Sequence, residues 1–209
     1  MILSPNEIEA RSMAIIAQEL PAPLPEETRD ITMRVIHTTA DLSFAESLRF
    51  RPGVVIRMRA LLMQGAAIVT DTNMALAGIN KAAAAKLKAP LLCEMAEPEV
   101  GRLARERGVT RAWILAERAW RMEGDVLFAC GNAPTALIRL CQLAEEGRRG
   151  RFVVIGAPVG FVNVVEAKEM LWNSSLDCIA AMGRRGGSNV AAAIVNALMY
   201  GIEGVRTCG

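Results

Sequence analysis

Short apolar runs alternate along the chain with longer runs that have the composition of helices. The apolar runs carry hydrophobic residues at consecutive positions, as strands do when both faces of their sheet are covered. They are AAIVT (66–70), LLCEM (91–95), VLFAC (126–130), FVVIG (152–156) and DCIAAM (177–182). The helix-like runs are KAAAAKLK (81–88), EPEVGRLARERG (97–108), TRAWILAERAW (110–120), PTALIRLCQLAEEG (134–147), VVEAKEMLW (164–172) and SNVAAAIVNALMYG (188–201). This order predicts one α/β domain over residues 1–209, with a mostly parallel sheet covered by helices on both faces.

The N-terminal region predicts two helices before the sheet begins. SPNE (4–7) has the pattern of a capping box with proline at the first helical position, and a helix is expected to follow to about Leu20. The prolines of PAPLP (21–25) prevent it from continuing. A second helix is expected from Glu26, with His37 near its C-terminal end.

Composition limits the classes of function. Net charge is +2, so an extended basic surface for nucleic acid is not expected. The longest apolar stretches, 152–165 and 190–202, are interrupted and fall short of the ~20 residues that span a bilayer. Residues 1–12 have neither the basic nor the apolar part of a signal peptide. We therefore expect a cytoplasmic protein without a membrane partner.

The cysteine pattern favours free thiols. Five cysteines form no CxxC pair, and the chain has a single histidine, so no metal site is expected. Cys93, Cys130 and Cys178 lie in apolar runs and are expected in the core.

Polar and glycine-rich turns follow the predicted strands, where ligands of α/β proteins bind. Two of them, GNAPT (131–135) and GRRGGS (183–188), run directly into predicted helices. Free N–H groups at helix starts and close backbone approach at glycine suit an acidic ligand, although ordinary βα loops look similar. EEGRRGR (145–151) is predicted to be a solvated turn. The candidates from their placement at the sheet edge are Asn73, Asn132, Arg184 and Ser188.

A nucleotide is one acidic ligand to consider, but the motifs fit it poorly. GRRGGS is not a GxxxxGK[ST] loop, and GAPVG (156–160) lacks the GxGxxG spacing. Arginine accounts for 20 of the 24 basic residues. A guanidinium binds a carboxylate with two parallel hydrogen bonds, so this bias suits an acidic ligand, although codon bias gives the same composition.

The histidine lies in VIHTTAD (35–41). His37 is either a packed helix residue or the one side chain that exchanges a proton near neutral pH.

Seven stretches taken together resemble the precorrin-8X methylmutase family of cobalamin biosynthesis, in order and over nearly the whole chain. They are RSMAII, MRVIHTTADLSF, DTNMALAGINK, GNAPTAL, GAPVGFV, EAKE and GRRGGSNVAAAIVNAL. The resemblance implies an α/β homodimer with sites near the subunit interface. It also implies an isomerase that moves a methyl group from C-11 to C-12 of precorrin-8X, giving hydrogenobyrinate, or of cobalt-precorrin-8, giving cobyrinate. HTTAD and DTNMALAGINK are more similar to the cobalt branch.

The resemblance also implies roles for single residues. His37 matches the catalytic histidine and would act as general acid, while Arg11, Ser12 and Arg111 match positions that contact substrate. Asp41 is a candidate to orient His37, and Arg185 differs among the aerobic enzymes. An isomerisation needs no cofactor, protein-bound metal or methyl donor, and none is expected. A non-catalytic corrinoid carrier and a nucleotide-using α/β enzyme are the alternatives.

Overall fold

A six-stranded sheet with the order β1-β6-β5-β4-β2-β3 organises the protein, as described by a computed structural model over residues 4–147 and 151–205. The strands are β1 (Leu48–Phe50), β2 (Ala67–Thr70), β3 (Leu91–Leu92), β4 (Val126–Cys130), β5 (Phe152–Gly156) and β6 (Asp177–Ala181). Strands β2 to β6 pair in parallel, and β1 pairs antiparallel with β6, with Leu48 opposite Ala181. The predicted α/β class and mostly parallel sheet are confirmed.

Helices connect the strands and cover both faces of the sheet. They are α1 (Pro5–Glu19), α2 (Glu26–Thr39), α3 (Phe44–Ser47), α4 (Val54–Met63), α5 (Asn73–Gly78), α6 (Lys81–Lys86), α7 (Pro98–Arg107), α8 (Arg111–Arg121), α9 (Pro134–Glu146), α10 (Val164–Asn173) and α11 (Ser188–Tyr200). The expected capping box at the start of α1 is present, with the Ser4 and Glu7 side chains bonded to each other's backbone N–H. No helix within the described ranges is both long and apolar enough to pass through a membrane.

Two hydrophobic cores lie on opposite faces of the sheet, because successive strand residues point to opposite sides. On one face Leu127 and Ile155 pack with residues of α2, α4 and α11. On the other, Phe128 and Val154 pack with residues of α8, α9 and α10. Both sets are buried, which explains why the strands are continuous apolar runs.

Some expectations were wrong at the edges of the sheet. β1 and α3 were not predicted, because a three-residue strand and a four-residue helix are too short to give a periodic pattern. LLCEM forms only two strand residues, so Cys93 is partly exposed and not in the core. Cys130 and Cys178 are buried as predicted. The turn predicted at 145–151 lies partly outside the described residues, at 148–150.

Candidate active site

The strand order identifies the crevice where a ligand is expected. β3 lies on one side of β2, whereas β4, β5 and β6 follow on the other side, so the order in which successive strands are added reverses between β2 and β4. Ligands of open α/β sheets bind at this point, beyond the carboxyl ends of the strands. The loops after β2, β4, β5 and β6 therefore form the edge that carries a site, here called the carboxyl edge.

A buried carboxylate fills the turn after β4. Asp71 is fully buried and accepts the backbone N–H groups of Gly131, Asn132 and Ala133 at 2.7, 2.8 and 2.7 Å. The Cys130 thiol lies 3.4 Å from the same carboxylate. Burial, followed by the Asp71 charge, raises the pKa of Cys130 well above its usual value. The N–H groups of Gly131, Asn132 and Ala133 are therefore not available to an external anion, contrary to the expectation for GNAPT, because the protein's own carboxylate occupies them.

Three loops of the carboxyl edge meet at Gly131. A β-carbon on Gly131 would lie 2.6 Å from the Cα atom of Ser188, the first residue of α11. The Ser188 hydroxyl is 2.8 Å from the hydroxyl of Thr72, which caps α5. The turn after β4 therefore needs glycine for close packing, and Ser188 is held between two neighbouring loops.

A buried lysine supports the loop after β6. Lys168 of α10 is fully buried, and its ammonium donates to the carbonyl oxygens of Gly183 at 2.9 Å and Arg185 at 2.7 Å. Burial lowers the pKa of Lys168 to about 8. Gly187, in the same loop after β6, donates its N–H to the carbonyl oxygen of Ala157 in the loop after β5, at 2.8 Å.

Arg185 joins this loop to the end of α2. Its guanidinium donates to both Asp41 carboxylate oxygens, at 2.9 and 2.7 Å, and to the Ser43 hydroxyl. The hydrogen bond from the Ser43 hydroxyl, together with smaller contributions from the Ser43 backbone and Arg185, lowers the pKa of Asp41. The hydrogen bonds of the Asp41 carboxylate go to Arg185 and Ser43, so the suggestion that Asp41 orients His37 by direct contact is not supported.

His37 lies in the last turn of α2 and is partly exposed. It lines an open cleft of about 310 Å3 between α1 and α2, with apolar walls that include Ile15, Ile36 and Leu42. Across residues 4–147 and 151–205 the imidazole has no protein hydrogen-bond partner. His37 is therefore accessible to a ligand and is not a packed core residue.

The structure places Ser12 in the same cleft, whereas Arg11 lies on the exposed surface of α1. The Ser12 hydroxyl donates to the carbonyl of Ile8 at 2.8 Å, which leaves its oxygen lone pairs for a ligand. Arg11 makes no ion pair within the described chain. The packing of α1 on α2 thus brings Ser12 beside His37, whereas Arg11 is not among the residues that line the cleft.

The remaining predicted residues lie on the carboxyl edge. Asn73 and Asn132 are exposed there, and the Arg184 guanidinium lies 5.5 Å from the centre of the Phe161 ring. Arg111 begins α8, where its guanidinium covers Gly101 and lies 3.4 Å from the Met95 carbonyl.

A contact between two threonine hydroxyl groups places the start of α8, and with it Arg111, at this edge. The side chain of Thr110, which caps α8, is 2.7 Å from that of Thr135 at the start of α9. Arg185 in turn links the carboxyl edge to the α1–α2 cleft, so the two sets of candidates belong to neighbouring parts of one surface.

Three residues that organise the site were not among the predicted site residues. Asp71 directly follows a buried strand, which was a usable signal. Lys168 occupies the buried stripe of α10 with Val164, Ala167 and Leu171, so a lysine at an apolar helical spacing was the signal. Arg185 was noted in the sequence, but its partner Asp41 is 144 residues away and no local pattern indicates that contact.

Comparison with known proteins gives a consistent result. A sequence model of the family described as precorrin-8X methylmutase matches residues 7–201. The cobalt-precorrin-8 methylmutase of Salmonella typhimurium is 41% identical over 208 residues, which cover 95% of this chain and 96% of that protein. The precorrin-8X methylmutase of Pseudomonas aeruginosa is 39% identical, with 85% and 86% covered. A solved structure of precorrin-8X methyl mutase from Thermus thermophilus has a TM-score of 0.83 and 34% identity, and the match covers 93% of this chain and 94% of that one. The chain therefore belongs to the precorrin-8X methylmutase family.

Proposed function

We propose that this isomerase moves the methyl group from C-11 to C-12 of precorrin-8X or cobalt-precorrin-8, with His37 as the general acid. The observation that carries the role of His37 is its position. The only imidazole in the chain is partly exposed in an open cleft, without a protein hydrogen-bond partner in the described chain, beside the carboxyl edge of the sheet. A proton donor that works near neutral pH needs this access to its substrate.

The surface around the cleft suits a large apolar ring with a carboxylate fringe. Ile15, Ile36 and Leu42 offer apolar contact to part of the ring. Arg11 and Arg184 are exposed beyond it and can form paired hydrogen bonds with acetate or propionate groups. We assign Arg111, Asn73, Asn132, Ser12 and Ser188 to further contacts with the substrate.

The reaction requires a proton but no net change of composition. His37 in its protonated form donates to the ring-C region, which makes the conjugated ring more electrophilic. The bond between the methyl group and C-11 breaks, the bond between the methyl group and C-12 forms, and the proton returns to His37. A positioned acid of this kind contributes typically ~10²–10⁴-fold to the rate.

We propose that two copies of the chain associate through α1. This 15-residue helix has no buried residue, and Ile8 and Ile15 on its surface are 51% and 45% exposed. The cleft of about 310 Å3 is also small for a ligand of this size, because pockets for drug-sized molecules measure roughly 300–1,000 Å3. A second copy packed against Ile8 would bury that side chain and add a wall to the cleft, which Ile15 lines. Sedimentation of the wild type and of Ile8→Glu tests this, with a dimer expected only for the wild type.

We further propose that residues 1–209 form one domain, that the enzyme works in the cytoplasm, and that the cobalt-containing substrate is preferred. The preference rests on HTTAD (37–41) and DTNMALAGINK (71–81), which are more similar to the cobalt branch.

The test is incubation of the purified protein with precorrin-8 in cobalt-free and cobalt-containing forms. The visible spectrum is followed, and then the mass of the product is measured. A spectral change at unchanged mass is expected, and the faster form identifies the branch. A changed mass would contradict isomerisation. Tight binding of precorrin-8, which is the coloured ligand or pigment in these experiments, without any conversion would instead indicate a carrier.

A further inference from the structure

Lys168 occupies a position where a lysine is costly. Val164, Ala167, Lys168 and Leu171 form the buried stripe of α10, while Glu169 and Met170 on the same helix are exposed. Lysine accounts for only four residues of the chain, and this one has 0% exposure. Because an ammonium loses hydration when it is buried, it needs local polar partners to remain there.

Those partners are two backbone carbonyls of the loop after β6. Lys168 binds the oxygen atoms of Gly183 and Arg185, at 2.9 and 2.7 Å. Burial lowers the pKa of Lys168, and the Cys130 thiol of β4, which itself contacts the buried Asp71, acts on it in the opposite direction. The ammonium therefore acts on the loop, and it contacts none of the candidate substrate-binding side chains.

The two bonds fix the direction of the loop backbone. In a trans peptide the carbonyl of one residue points away from the N–H of the next. With the carbonyls of Gly183 and Arg185 turned towards Lys168, the N–H groups of Arg184 and Gly186 face away from it. Gly186 also packs directly on the Ala157 carbonyl, where no side chain fits. Lys168 thus holds the carbonyl groups of the loop after β6, and the loop after β5 packs against its backbone at Gly186.

The fixed loop in turn holds the end of α2. Arg185 binds Asp41 and Ser43, whose turn is closed by hydrogen bonds from the Asp41 N–H to Thr39 and from the Ser43 N–H to Asp41, at 3.3 and 3.0 Å. This turn directly follows the last helical turn, which carries His37.

We propose that Lys168 is a positioning residue for the methyl shift, which holds His37 in place through the loop after β6 and the contact of Arg185 with Asp41. This inference rests on the proposed function only for its effect on turnover. The effect on the position of His37 is separate and can be measured without substrate.

The first measurement uses the single histidine as a probe. The signal of the His37 Cε1–H group is recorded by NMR in the wild type, Lys168→Met, Arg185→Gln and the control Lys86→Met. Lys86 is matched to Lys168 because its ammonium also binds two backbone carbonyls, those of Gly204 and Val205 at 3.3 and 3.5 Å. We expect Lys168→Met and Arg185→Gln to move the His37 signal and Lys86→Met to leave it unchanged.

The second measurement is turnover. Lys168→Met and Arg185→Gln are each expected to lower kcat about 10- to 100-fold, since small displacements of a reacting group have effects of this size. The dissociation constant of the pigment should change less than the kcat. The double variant should resemble the more severe single variant, because both substitutions break the same chain of contacts.

The outcomes separate the two proposals. A folded Lys168→Met with the wild-type His37 signal and kcat overturns the positioning role, as does full multiplication of the two losses in the double variant. If Lys168→Met does not fold, Arg185→Gln decides, since its side chain is 62% exposed and its loss leaves the core intact. A moved His37 signal in proteins that never convert precorrin-8 would support the positioning role and contradict the proposed function.

Discussion

The buried Asp71 carboxylate accepts the backbone N–H of Gly131 at 2.7 Å, across the point between β2 and β4 where the strand order reverses. The same carboxylate binds the next two N–H groups of the turn. The three N–H groups of this turn thus bind a carboxylate of the protein itself instead of an external anion. The backbone of the turn is therefore fixed before any ligand binds. This rigidity places Asn132 and the start of α11 on a defined surface.

Asp71→Asn should destabilise the fold by about 3–5 kcal/mol, since a buried amide group would oppose N–H donors that now bind a carboxylate. Chemical denaturation measures the change. The control is Asp30→Asn, which removes an exposed ion pair with Arg59 and should cost less than about 1 kcal/mol. Equal losses in the two variants would contradict the structural role of Asp71.

Gly131→Ala should destabilise the protein by about 1–3 kcal/mol, because the new methyl group would press on the backbone of Ser188. The matched control is Gly147→Ala, where no atom of the described residues lies within 4 Å of the added carbon and φ is 173°, which any residue adopts. Thermal unfolding of both variants is the measurement. A neutral Gly131→Ala would show that the two loops are not in close contact.

His37→Ala should lower the kcat of the methyl shift by roughly 10²–10⁴-fold, as expected for the loss of a general acid. Binding of the pigment, followed in the visible spectrum, should be largely retained. Thr38→Ala is the control, because its exposed side chain only donates to the Arg34 carbonyl at 2.8 Å, and it should keep wild-type turnover. Retained turnover in His37→Ala would contradict the role of His37 as the general acid.

Glu117→Gln should destabilise the protein by about 2–4 kcal/mol at neutral pH. Glu117 is 3% exposed and binds Arg107 and Arg139 at 2.5 and 2.8 Å, and hydrogen bonds from Arg107, then Arg139, lower its pKa from 4.5 to about 2. Its folded pKa lies below the unfolded one, so the stabilisation is complete above about pH 4.5 and is lost as pH falls towards 2.

The measurement is the difference in unfolding free energy between wild type and Glu117→Gln from pH 7 to acid. We expect the difference to shrink only below about pH 4.5. Glu106→Gln, which removes an exposed pair with Arg102 within α7, should change stability by less than about 0.5 kcal/mol throughout. A pH-independent difference would mean that packing, rather than charge, explains the effect.

Elements with strong local patterns were predictable from the amino-acid order. VLFAC and FVVIG are the strands β4 and β5 as predicted, because residues buried on both faces must be apolar at every position. The capping residues of α1 and the position of His37 near the end of α2 were also predictable, since they depend on neighbours a few residues apart. The ordered motifs were sufficient to indicate the family.

The three-dimensional packing, in contrast, was needed to see which polar groups near the site already bind other groups of the protein. The N–H groups after β4 were expected to face a ligand, but they bind Asp71, about 60 residues earlier in the chain. Lys168 and Arg185 connect loops and helices that are distant in sequence. Local patterns report burial and backbone preference, whereas the pairing of buried charges depends on which loops the sheet brings together.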